Sequence, residues 1–310
     1  MPRFLLLLIG AALALLAQPD TVTKITDGVW MREGDLSGKG HCNNAVIEMK
    51  DYLVVVDANF PSGAEALMAD IKKLSSKPVK YVLITHHHGD HAYGSSVWTR
   101  AGAVTVAHSA VVDEIRKYEP ARWQSASKTR TDLRDPALEP PKQTFTKSPW
   151  VLSDGTRRIE FWHFGWSHTR GDGYVYLPKE RLLVAGDAVV NGPHNFTADA
   201  NLANWPRVLA RARKKLPIER VVPGHGPAGG AEVIDGQIRF LTTLRAEVAA
   251  AVKAGKKLAD LVEMEGDAPK KAKMTLPGDV QRWVGGPLAG QIRDAFREVT
   301  EKKPAGSLPH

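Results

Sequence analysis

Residues 85–91 read Thr-His-His-His-Gly-Asp-His and follow directly on the stretch Val79 to Ile84, apolar but for Lys80. The stretch reads as a buried strand. Four groups with metal-binding chemistry, His86, His88, Asp90 and His91, therefore fall within six residues on the turn at a strand end. Packed together as bare side chains they repel when protonated and lose hydration when neutral. A cation removes the conflict, because neutral imidazole and carboxylate are its natural ligands. His87 points away from its neighbours by strand parity and is read as non-ligating.

The rest of the chain is built to carry such a turn. Tyr52 to Asp57 reads as a second buried strand ending in a carboxylate, and Ala103 to Ala107 as a third. Ser62 and Glu65 have capping-box spacing before a helical pattern through Ala64, Leu67, Ile71 and Leu74. Ser109 opens a short helix over 110–117. Residues 118–150, with Pro120, Pro136, Pro140, Pro141 and Pro149, read as a lid-like insertion with one short helix. Strands resume at 158–164, 173–177, 181–185 and 219–222. Helices fit 205–216, capped by Asn204, and 231–253. Strands separated by helices imply an α/β architecture.

The N-terminus is Met-Pro-Arg followed by an apolar run from Phe4 to Ala17. The run is short for a membrane span and has the layout of a secretory signal over residues 1–17. The expectation is an exported chain, periplasmic or secreted, with no stable membrane anchor after cleavage. Cys42 is the single cysteine, so no internal disulfide is available; it reads as a small buried core residue. The formal charge of +8 comes from dispersed Lys and Arg. No nucleic-acid motif accompanies it, and a small-molecule substrate is the expected partner; the oligomeric state is left open.

The segment Thr85 to His91 resembles the HxHxDH signature of the metallo-β-lactamase superfamily. The resemblance continues in order through Gly165-Trp-Ser-His168-Thr-Arg-Gly-Asp172, Leu182-Leu-Val-Ala-Gly-Asp187 and Val222-Pro-Gly-His225-Gly. It implies a four-layer αβ/βα sandwich over residues 22–254, with 255–310 as a short helical C-terminal tail. It implies that His86, His88 and His168 hold one metal, that Asp90, His91 and His225 hold a second, and that Asp187 bridges. Zinc suits this set, and iron or manganese also fit, because no thiolate is among the ligands. Asp57, Thr169 and Asp172 are expected as partners that orient ligand rings.

The resemblance further implies a hydrolase of a small carbonyl substrate, an ester, lactone, thioester or cyclic amide, using a metal-bridging hydroxide, with Asp90 both binding metal and handling the nucleophile's proton. The alternatives are a periplasmic metallo-β-lactamase and a non-catalytic metal-binding module. His41 and His163 read as ordinary polar and structural residues, and His194 as either an ordinary polar residue or a pocket residue. Trp166 is placed near the site, and Trp123 and Trp150 as possible substrate contacts. Discrimination between substrates is assigned to 118–150 and to the loop 189–200.

Overall fold

The computed structural model describes residues 18–135 and 137–308. The expected signal, residues 1–17, and Pro136 lie outside them. Among the described residues no helix is long and apolar enough to cross a membrane.

The N-terminal half forms a seven-stranded sheet. Its strands, in spatial and chain order alike, are β1 (Val22–Thr26), β2 (Val29–Arg32), β3 (Asn44–Glu48), β4 (Leu53–Val56), β5 (Val79–Leu83), β6 (Val104–His108) and β7 (Gln143–Phe145). The first four pair antiparallel, and β4 to β7 run parallel. The parallel crossovers carry α1 (Pro61–Leu74), α2 (Gly89–Ala92), α3 (Ser95–Arg100) and α4 (Ser109–Ala126), as parallel pairing requires.

The second sheet has six strands in the order β13-β12-β11-β10-β9-β8. These are β8 (Trp150–Ser153), β9 (Arg158–His163), β10 (Gly173–Leu177), β11 (Leu182–Val184), β12 (Arg220–Val222) and β13 (Gly229–Gly230). α5 (Trp205–Lys215) and α6 (Glu232–Lys253) cover its outer face. The C-terminal stretch adds α7 (Leu258–Leu261), a hairpin of β14 (Val262–Glu265) and β15 (Ala268–Ala272), and α8 (Leu288–Glu301) packed on α6. The hairpin is an addition to the expected helical tail.

Side-chain alternation explains the layering. In β4, Val54 and Val56 face the second sheet and meet Phe161, Val175, Leu182 and Val222. Leu53 and Val55 face the other way, against Leu67, Ile71, Trp98 and Ile115 of the helices. On the far side Tyr174, Leu183 and Val221 meet Val208, Phe240, Leu244 and Ile292. The result is the four-layer αβ/βα sandwich.

Three local expectations are corrected. Ser62 and Glu65 form no capping box: the N-cap of α1 is Phe60, with no side-chain cap, and the Ser62 hydroxyl donates to Asp132 Oδ2 at 2.6 Å. α4 does not stop at 117 but runs through Pro120 to Ala126, capped by His108 rather than Ser109. Its buried Glu114, Ile115 and Glu119 fix it to the body, and tertiary packing outweighs the loss of one helical hydrogen bond at proline. The remainder of 118–150 is not one loop: it holds a 3₁₀ turn over Thr131–Leu133 and the strand β7, and ends where β8 begins at Trp150.

Candidate metal centre

The strand ends deliver the site. The turn after β5 supplies His86 and His88, and α2 supplies Asp90 and His91. The β9–β10 loop supplies His168, the 3₁₀ turn after β11 supplies Asp187, and the turn after β12 supplies His225. All seven residues named from sequence converge. His86, His88, His168 and Asp187 each offer a ligand atom within 4.8 Å of the others, and Asp90, His91 and His225 form a second such group. Asp187 joins the two groups: its Oδ1 lies 3.2 Å from His91 Nε2 and 3.3 Å from His225 Nε2.

The close approach of the last two turns requires glycine. A Cβ on Gly224 would stand 2.0 Å from Asp187 Oδ1. Gly186 has φ +50°, and a Cβ there would meet Thr85 Oγ1 at 2.3 Å, so glycine serves both the turn and the packing.

Hydrogen bonds fix which nitrogen is free in three of the rings, those of His86, His88 and His91. His91 Nδ1–H donates to Asp57 Oδ2 at 2.8 Å, which leaves Nε2 as the lone-pair nitrogen. Thr85 donates through Oγ1 to the same Asp57 oxygen at 3.0 Å and through its backbone N–H to Asp57 Oδ1 at 2.7 Å. The Thr85 oxygen accepts from His86 Nδ1–H at 3.0 Å, which leaves His86 Nε2 free. His88 Nε2–H donates to Asp199 Oδ2 at 2.7 Å, which frees Nδ1. Asp172 lies 3.7 Å from His168 Nδ1 and is held by Thr169 N and Oγ1.

The donor set fits a metal. Among the described residues, His86 Nε2, His91 Nε2, His168 Nε2 and Asp187 Oδ1 are buried atoms with no hydrogen-bond partner. Orphaned buried lone pairs are costly unless something satisfies them, and a cation in each of the two groups would satisfy all four. The electrostatics agree. Burial, reinforced by the His91 and His88 rings, holds His86 well below the ordinary histidine range. Burial and the His87 charge push His88 down to about 3. Burial opposes the charged form of Asp187, yet His225 and His91 hold its carboxyl well below the usual range. His86 and His88 are thus neutral beside an ionised Asp187, the protonation states a metal needs. At His91 and His225 burial is outweighed by neighbouring acidic groups, which hold the rings above the ordinary histidine range, His225 at about 9, so a metal there displaces their protons.

Behind this centre lies a second polar cluster that sequence reasoning missed. His87 is buried and points away from the ligands. Its Nδ1 is 3.2 Å from Glu114, and its Nε2 is 3.6 Å from Glu119 and 3.5 Å from Asp199. Burial disfavours the charged ring, but bonds to Asp199 and Glu114 override it and push His87 up to about 9. Arg122 donates to Asp199 through Nη1 and Nη2 at 2.9 and 3.0 Å, and to Glu119 at 3.1 Å. The Tyr93 hydroxyl donates to Glu119. The signal for Glu114, Glu119 and Arg122 is helical spacing on α4, hidden by Pro120.

A cleft of about 500 Å³ opens onto the metal groups. Leu36, Phe60, Phe196 and Pro287 give it apolar walls; Asp90, Asp187 and His225 form its floor. Of the two segments expected to shape it, 118–150 contributes Glu119, Arg122 and Ala126, and the other contributes His194, Asn195 and Phe196. His194 thus takes the second of its two readings and lines the cleft.

Trp166 donates through Nε1 to the Asp199 carbonyl at 2.9 Å. Trp123 packs on Tyr93 with ring centroids 4.7 Å apart, and Trp150 sits half-buried on Tyr81 at 5.9 Å, against the core rather than in the cleft lining. His41 bonds Ser62 at 2.9 Å, and His163 stacks on His108. Cys42 is fully buried, with its thiol pushed up to about 12 by burial.

Comparison with known proteins agrees with this architecture. The family model of the metallo-beta-lactamase superfamily matches residues 37–225, more than half of the chain. The chain belongs to this superfamily of metal-dependent hydrolases. A metallo-beta-lactamase type 2 of Bacteroides fragilis is 29% identical over 155 residues, 48% of this chain and 54% of that protein. The type 2 enzyme of Bacillus cereus is 26% identical over 217 residues, 67% of this chain and 77% of that one. A metallo-beta-lactamase structure from Pontibacter korlensis superposes with TM-score 0.62 and 25% identity, covering 72% of this chain and 98% of that one. The DIM-1 metallo-beta-lactamase shares the fold at TM-score 0.61 and 21% identity, over 73% of this chain and 98% of that one.

Proposed function

We propose that the chain hydrolyses a small, neutral carbonyl compound, a lactone, ester, thioester or cyclic amide, with two zinc ions as cofactor. His86, His88 and His168 would hold one ion and Asp90, His91 and His225 the other, with Asp187 shared. The observation that carries this reading is the position of Asp187 Oδ1 against both groups, with its hydrogen-bonding capacity unused among the described residues.

Metal ions so held supply a water acidified toward neutral pH and a Lewis acid for the carbonyl oxygen. The protein's own groups do the rest. Asp90 faces the cleft, with Oδ2 3.1 Å from His225 Nε2 and 3.4 Å from His91 Nε2. From there its carboxylate accepts the proton of an attacking water and returns it to the leaving group. The apolar walls seat an acyl or lactone tail and exclude water from it.

The cleft's chemistry favours a neutral substrate. The Arg122 guanidinium in its wall is already committed to Asp199 by two bonds and to Glu119 by a third. A carboxylate-bearing ligand would have to compete with both. The second reading is a β-lactamase, which the names of the relatives favour. β-Lactam antibiotics carry a carboxylate, so the two readings separate experimentally. Steady-state kinetics of the zinc-loaded protein on lactones, aryl esters, thioesters and β-lactams should give a higher kcat/KM for a lactone or ester. Efficient opening of penicillins with inert lactones and esters reverses the order. The same reading places the mature protein outside the cytoplasm, supported by Arg3 and the apolar residues 4–17. N-terminal sequencing from the native host tests it, and an intact Met1 on soluble cytoplasmic protein contradicts it.

A further inference from the structure

The loop 191–204 carries Phe196 into the cleft wall and Asp199 to His88. It runs between β11 and α5 with no strand of its own. Such a segment is ordinarily the least stable part of a fold, and its backbone groups need partners from elsewhere.

One face of α8 supplies them. Gln291, Asp294 and Glu298 follow the i, i+3, i+7 spacing of a single helix face, and they are 1%, 4% and 4% exposed. Gln291 Nε2 donates to the Asn195 carbonyl at 2.7 Å. Asp294 Oδ2 accepts from Thr197 Oγ1 at 2.7 Å, while its other oxygen faces Arg293. The Glu298 carboxylate accepts from Leu202 N at 2.9 Å and Ala203 N at 2.8 Å. Past the helix, Gly306 N donates to the Ala200 carbonyl at 2.9 Å. Leu and Val on this face would bury the loop more cheaply, because buried polar groups cost desolvation free energy. They would not fix where each residue of the loop stands, and directional bonds do.

We propose that the C-terminal helix is a positioning element of the metal centre, with Asp294 as its key residue. Thr197 and Ala200 bracket Asp199. Asp294 holds the first and Gly306 the second, so Asp199 is kept where its carboxylate orients the His88 ring. The helix and the turn after it lie outside the stretch matched by the family model. The inference rests on reading His88 as a metal ligand.

The test uses the full-length, zinc-loaded protein and chelator competition, with thermal unfolding alongside. Asp294→Ala removes the acceptor, Thr197→Val removes the donor, and Asp294→Asn keeps an acceptor oxygen. Glu301→Ala alters the exposed side of the same helix. Loss of an outer hydrogen-bonding partner weakens metal binding by roughly 10–100-fold. Asp294→Ala and Thr197→Val should therefore weaken one of the two zinc ions by about tenfold, the low end of that range. Asp294→Asn and Glu301→Ala should match the parent. Parent-like zinc affinity in both Asp294→Ala and Thr197→Val overturns the proposal, as does equal weakening of both ions in all four variants. If Asp294→Ala does not fold, Thr197→Val decides alone. Chelator competition involves no substrate, so a protein inert toward carbonyl compounds that still shows this pattern loses the functional reading and keeps this one. A parent that binds no zinc overturns both.

Discussion

Asp57 and His91 meet at 2.8 Å, carboxylate Oδ2 to ring Nδ1, and through that contact the end of β4 orients both halves of the metal centre. The same oxygen accepts from Thr85 Oγ1, whose oxygen in turn accepts from His86. One buried carboxylate thus turns a ring in each group so that Nε2 faces the site.

Asp57→Asn should loosen both metals together. An amide can accept His91 or Thr85 but cannot serve every donor that Asp57 serves. The left-handed backbone at this residue, φ +66°, also suits Asn better than Ala. The expected outcome is a loss of metal affinity of about 10–100-fold, read by chelator competition, with the fold intact by circular dichroism. Unchanged affinity would remove Asp57 from the account.

His87→Ala should separate stability from metal binding. The ring lies between Glu114 and Glu119, and its removal leaves the buried Glu114 without its cation, while Glu119 keeps Arg122. Breaking such a buried pair costs about 3–5 kcal/mol. The urea midpoint should fall while zinc content stays at the parent value. A variant of parent stability would show that the cluster carries little energy.

Phe196→Ala tests the cleft wall. Phe196 is 47% exposed, and its ring packs edge-on to His88 at 5.1 Å. Removing it should raise KM for a long-chain ester by about tenfold, within the range that loss of one apolar contact gives, and leave the acetate ester nearly unchanged. Equal effects on both esters would place the acyl tail elsewhere.

The metal groups were legible because most of the ligands sit beside a strand end with an apolar run, as at Tyr81 to Ile84 and Leu182 to Val184. Cys42 also lies buried, as the apolar stretch Ala45 to Ile47 beside it implies. Pro120 hid the C-terminal half of α4: proline is a strong local stop signal, and the packing of Glu119 and Ile115 that overrides it is not local. Asp199 was hidden for the same reason, since its partners His88 and Arg122 are 111 and 77 residues away. The strands β1, β2 and β3 were missed because their sequences, such as Val22 to Thr26, alternate only weakly over a few residues, and pairing with their neighbours decides their state.

The central claim is that the seven residues around Asp187 hold two metal ions in one site. Elemental analysis of protein purified without chelators and equilibrated with zinc measures this directly. The account predicts about two zinc ions per chain, falling to about one or fewer in Asp187→Ala. A parent stoichiometry that stays near one at saturating zinc, or an Asp187→Ala variant that still holds two, would contradict it.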